Sequence, residues 1–206
     1  MTISLIKDLI IHPKRAFVEI TENENKYFGF ALIIVGIELI VGLLEFGNFM
    51  SFLIPETENK TFGYYSYLIT SAILGPFLTA WLVLNISKKL YKTESNFRRV
   101  FSALQFSYFP ILLIGTPIQV IVVTLYSKNF TMGDIFSSMP LIIAITIPFA
   151  IWSFILWVMA CKQSLQITTT NIIAVGILAV IISAIIFVPI SFLLNGSPIQ
   201  EGWFEV

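Results

Sequence analysis

Two glutamates stand out by their position. Glu38 and Glu45 fall inside the apolar run YFGFALIIVGIELIVGLLEFGNFMSFL, residues 27–53. Lying two helical turns apart, they share one face of a helix. Glu38 follows Tyr27 by about 16 Å along a helix axis, which places it near the middle of a bilayer. Ionisable groups at such depth are functional candidates, because hydrocarbon makes a charge costly. The chemistry open to them is the handling of a proton or a cation. Companions for a full relay are scarce. No Lys, Arg or His lies in any long apolar run, and the polar companions there are few, among them Asn85, Gln119 and scattered Ser and Thr. The structural alternative is a protonated Glu38 hydrogen-bonded to a neighbouring helix, since lipid disfavours the carboxylate.

Other chemistry has little to work with. The chain has one histidine, His12, and one cysteine, Cys161. That excludes a disulfide within the chain and a zinc site of four Cys and His ligands. Walker, GxSxG and HExxH motifs are absent. His12 precedes Pro13 in a polar segment, where capping or snorkelling suits it better than a Ser-His-Asp role. The sequence therefore reads as a non-enzyme with no catalytic, cofactor or metal set.

The elements that position these residues follow from composition. Of 206 residues, 57% are hydrophobic and 12% charged, against about 25% charge in a soluble domain. Five runs reach the roughly 20 apolar residues that a span needs: 27–53, 64–86, 103–126, 139–161 and 171–194. Helices are expected, because an open sheet cannot satisfy its backbone in lipid. The fold class is all-α: a polytopic membrane protein with five transmembrane helices. Residues 1–26 form an N-terminal segment, 27–194 the membrane domain and 195–206 a short tail. Small residues recur at Ser71, Gly75 and Thr79 and at Gly176, Ala179 and Ser183, a spacing that lets helices approach. Pro76, Pro110, Pro117, Pro140, Pro148 and Pro189 are expected to kink their spans.

Charge sets the orientation. Lys7, Lys14, Arg15 and Lys26 precede the first span; Lys88, Lys89, Lys92, Arg98 and Arg99 lie between the second and third; Lys162 follows the fourth. These are ten of the twelve basic residues. Only Lys60 and Lys128 fall on the other side. By the positive-inside rule the N-terminus is cytoplasmic and the C-terminus extracytoplasmic.

The opening residues have their own pattern. Ile3, Leu5, Ile6, Leu9 and Ile10 occupy one arc of roughly 160° on a helix. The stretch is short, carries Lys7 and Asp8, and lacks a cleavage site, so it does not read as a signal peptide. Pro13 breaks it or opens a second helix. In that second piece Ala16, Phe17 and Ile20 can face lipid, while Lys14, Arg15 and Glu19 stay wet. The expectation is an amphipathic interfacial helix, its cations near anionic headgroups. The alternative is that it packs on the protein's own loops.

Three stretches together resemble the Yip1 family in its prokaryotic-type form. One is HPKRAFVEI, with Pro13, Phe17 and Glu19. Another is LGPFLTAWLVLNISKKLY, residues 74–91, with Gly75 and Pro76. The third is SNFRRVFSALQFSYFPILLIG, residues 95–115, where Phe97, Arg98, Ser102, Phe106, Ser107 and Pro110 match. Residues 151–175 fit the family's fourth span, short loop and fifth span. Family members often carry Gly-Tyr where this chain has Gln105-Phe106. The resemblance implies a non-enzymatic membrane factor in trafficking, membrane shaping or complex assembly. The long cytosolic region of the eukaryotic trafficking members is missing here.

The expected partners are the bilayer, anionic headgroups and a membrane or cytosolic protein, not nucleic acid. Lys7, Lys14, Arg15, Lys88, Lys89, Lys92, Arg98 and Arg99 are the candidate contact residues. The alternatives are a small permease or channel using Glu38, and an accessory subunit of a larger complex.

Overall fold

The computed structural model describes residues 3–53, 58–110, 112–113 and 132–195, with side-chain surroundings over 4–41, 69–109, 112–113, 144 and 147–190. Seven α-helices and no strand occur among the described residues: α1 (Ile3–Ile11), α2 (Pro13–Glu22), α3 (Glu24–Leu53), α4 (Glu58–Tyr91), α5 (Phe97–Pro110), α6 (Met132–Leu165) and α7 (Thr169–Asn195). Much of what reads as polar loop is helix. Of SKKLYKTESNFRR only residues 92–96 leave the helical state, and of KQSLQITTT only 166–168. α4 and α7 run unbroken through Pro76 and Pro189.

Three stretches among the described residues are long and apolar enough to cross a membrane, Ile69–Tyr91, Ile147–Leu165 and Thr169–Ile190. That is three rather than the five expected. The expected span 27–53 lies on α3, a single 30-residue helix whose side-chain surroundings are described only to Val41. The expected span 103–126 begins inside α5, but residues 114–131 lie outside the described set. Its first part is not a lipid-facing stretch. Phe101 to Ser107 are all buried, because α5 packs against α2, α3, α4 and α6 at once. A helix enclosed on every side can be apolar around much of its circumference.

The long helices present their apolar side chains outward. Ile33 and Ile40 on α3, Ile73 and Leu74 on α4, Ile151 and Phe154 on α6, and Val180 and Ile185 on α7 are all exposed. Such a large apolar surface is incompatible with water on all sides and marks a membrane protein. Among the described side chains the charges other than Glu38 gather at one end, where α3, α5 and α7 begin and α4 and α6 stop. There Thr93 donates to the Leu165 carbonyl at 2.6 Å, tying the turn after α4 to the turn after α6. Lys92 and Gln166, the first residues of those turns, have φ of 55° and 57°. Each donates its N–H four residues back, to Lys88 and Lys162, closing its helix in the left-handed conformation that glycine usually takes.

The N-terminal helices overturn one expectation. Ala16, Phe17 and Ile20 do not face lipid. They are fully buried, as are Leu5 and Leu9, and α2 packs on α6 and α5. The amphipathic arc is real, but its apolar face closes on protein. Docking there removes the same apolar area from water as a bilayer would, about 1.5–3 kcal/mol for each large side chain. Ile10 and Ile11, 43% and 54% exposed, remain uncovered.

The small-residue stripes behave unequally. A β-carbon on Gly75 would meet nothing within 4 Å, whereas one on Gly176 would come within 2.5 Å of the Trp157 ring. Close approach is built at Gly176 against an indole, not at Gly75.

Candidate functional site

The basic end is held by short polar devices that cap the helices. Pro13 opens α2, where its missing N–H costs nothing. Asn23 ends α2 and starts α3: its N–H and its Nδ2 both donate to the Glu19 carbonyl, while its own carbonyl accepts from Lys26 and Tyr27. The Tyr27 hydroxyl donates to the Glu19 carboxylate, and its ring sits edge-on to Phe106 at 5.7 Å. Asn96 caps α5 by accepting the Arg99 N–H at 3.0 Å, an arrangement that satisfies an otherwise orphaned helical donor.

The candidate cations divide into two groups. Arg98 and Arg99 are engaged with α3. Arg99 Nε lies 3.3 Å from Glu24 Oε2, and Asn96 Nδ2 donates to Glu24 Oε1 at 2.7 Å. Arg98 donates to Asn25 Oδ1 at 2.8 Å and stands over the Phe28 ring. Lys7, Lys14, Arg15, Lys88, Lys89 and Lys92 are exposed, with Arg15 only 3.9 Å from Asp8. His12, Lys14 and Arg15 line an open groove of about 640 Å³ with Val18 and Met159. Residue types alone did not separate these groups; the Asn96 cap before a helical pattern was a readable signal for the first.

Glu38 stands at a second site. It lines a cavity of about 200 Å³ with Pro76 and Thr79 of α4 and Leu104, Gln105 and Tyr108 of α5. Glu38 does not bond to a neighbouring helix: among the described residues it has no hydrogen-bond or ion-pair partner. Gln105 is 2% exposed, and its Oε1 has no hydrogen-bond partner. Pro76 has no N–H to offer the carbonyl one turn before it. The Glu45 side chain lies outside the described residues. The sequence reading missed Thr79, Gln105 and Tyr108 as companions because the helix pairing that gathers them is a tertiary fact. Among the described residues no three His, Cys, Asp or Glu side chains gather as metal ligands would.

A family model, the Yip1 domain, matches residues 7–190. The chain belongs to the Yip1 family. No curated protein and no solved structure matches it. The match starts within α1 and ends near the close of α7, so the docked N-terminal helices are part of the Yip1 domain. In this Yip1 chain the segment HPKRAFVEI has a structural meaning. Pro13 opens α2, Phe17 enters the core, and Glu19 accepts from Tyr27. Phe97 and Phe101 of the third segment stack with Phe77 of the second, on α4, the Phe77 and Phe101 centroids 4.7 Å apart. Ser107 donates back to the Leu104 carbonyl. These segments hold α2, α3, α4 and α5 together.

Proposed function

We propose that this Yip1 protein is a non-enzymatic, five-span membrane factor that organises lipid or a partner at its basic face, in membrane shaping, trafficking or complex assembly. Its spans are 27–53, 64–86, 103–126, 139–161 and 171–194, its N-terminus is cytoplasmic, and its tail is on the opposite side. The observation that carries the reading is the groove at the bend between α1 and α2. His12, Lys14 and Arg15 line it beside Val18 and Met159, and Ile10 and Ile11 stand exposed nearby. Cations beside uncovered apolar side chains suit a bilayer surface, where each cation contributes about 1 kcal/mol toward anionic headgroups. Because the apolar face of α2 is already seated on α5 and α6, these groups are presented on backbone that needs no further ordering on contact.

The test is substitution, because deleting residues 1–20 would strip Phe17 and Ile20 from the core. Lys7, Lys14 and Arg15 changed together to Gln should reduce binding of anionic lipid at least tenfold in nanodiscs, with an unchanged melting temperature. Equal binding by the triple variant would remove the mechanism. Lipid binding that is retained alongside loss of a co-purifying protein would favour the partner over the bilayer.

The cavity at Glu38 favours a second reading, a small permease or channel. Solute or proton flux in liposomes that disappears in Glu38→Gln would support it; no flux from folded wild-type protein would count against it.

A further inference from the structure

We propose that the Glu38 cavity and the groove beside it form one binding site for a single-chain lipid with a primary ammonium head. Two residues join the spaces. Thr79 and Tyr108 line the cavity and also line a groove of about 980 Å³ between α4, α6 and α7. The groove is apolar, walled by Phe154, Trp157, Ile177 and Val180. Phe154, Ile177 and Val180 are also exposed on the outer apolar surface, so the groove opens where hydrocarbon lies.

The polar end fixes the sign of the ligand. Glu38 meets no cation among the described residues, and the Gln105 carbonyl is buried without a partner. The Thr79 and Tyr108 hydroxyls can accept as well as donate. An isolated acid and an unpaired amide oxygen both call for a donor, and a buried polar group left without one is costly. An ammonium group offers three donors and one positive charge. That charge would stabilise Glu38 as a carboxylate, whereas a phosphate or carboxylate head would bring a further negative charge to a place with no cation among the described residues. The volume excludes a bare metal ion as a close fit, since about 200 Å³ has room for several waters at roughly 30 Å³ each. The tail then occupies the groove in place of a bilayer chain. Selectivity therefore comes from the head, because a tail moving from lipid to groove changes its surroundings little.

This inference gives a ligand class to the second reading above and needs no transport. It is tested by binding, so its failure is distinct from a failure of flux. The full chain in phosphatidylcholine nanodiscs is titrated with dodecylamine, dodecanol and ammonium chloride, with binding read by native mass spectrometry. Dodecylamine should bind saturably, at least tenfold more tightly than dodecanol. Glu38→Gln should erase that preference, and Tyr108→Phe, which keeps the ring, should weaken it three- to tenfold. Melting temperatures show that each variant is folded. Equal binding of amine and alcohol by wild type would overturn the proposal, as would full preference retained by Glu38→Gln. Saturation by ammonium chloride that displaces no dodecylamine would separate the cavity from the groove and overturn their union.

Discussion

The Arg99 guanidinium stands 3.3 Å from the Glu24 carboxylate, joining the first turn of α5 to the first turn of α3. The same carboxylate accepts from Asn96, the residue that caps α5. One acidic side chain therefore anchors both the start of a helix and its neighbour.

Glu24→Ala should lower stability by about 1 kcal/mol, because the pair is partly exposed and such pairs are weak. Arg99→Ala should cost less, since the Asn96 bond survives it. Thermal unfolding in detergent, with and without 1 M salt, checks both. The cost of Arg99→Ala should shrink in salt.

Phe17→Ala should cost about 3–5 kcal/mol, the range for emptying a large aromatic from a packed core. Ile11→Ala, on an exposed side chain, should stay within about 0.5 kcal/mol. Trypsin cleavage after Lys14, Arg15 and Lys26 should speed up in the first variant only. Equal cleavage in both would return α2 to the lipid surface.

Gly176→Ala should force the Trp157 indole out of its seat. A new methyl group in a full space costs about 1–3 kcal/mol. Trp157→Leu in the same chain should recover most of that loss. A shift in the tryptophan emission of Gly176→Ala, read together with melting temperature, tests the contact.

Lys92→Gly and Gln166→Gly should each stabilise by several tenths of a kcal/mol, up to about 1. Both positions hold a left-handed backbone that is strained for a side-chain-bearing residue. The same change at Lys89, within α4, should destabilise by about 1 kcal/mol. Paired unfolding curves decide the sign at each site.

The sequence revealed the chemistry of each surface better than what would cover it. Hydropathy found apolar runs, and those on α4, α6 and α7 became membrane-length helices. The arc at Leu5 and Leu9 was legible because a 3.6-residue period does not depend on what lies opposite. Whether that arc meets lipid or protein was not legible, because both remove the same area from water. Phe101 illustrates the limit. It lies beside a basic loop, where an aromatic residue suits an interface, yet α3 and α4 enclose it through Phe28 and Phe77, with Phe97 of its own helix stacked one turn before it. Glu38 was found by its depth alone. Gln105 was not, although Asn85 and Gln119 were noted, since which amide meets Glu38 depends on the helix placed beside it.

The seating of α2 on α6 has a consequence for how the polypeptide is made. α6 begins only at Met132, so Phe17 and Ile20 leave the ribosome long before that surface exists. At translation rates of about 5–20 residues per second, the wait until Met159, which lies beside α2, is roughly 7–28 seconds. Throughout it two sticky faces are held open, and the headgroup layer is the nearest place to shelter them. Phe17 and Ile20 thus reach their final seat only once α6 has been made, and release from any temporary berth would be a step in maturation.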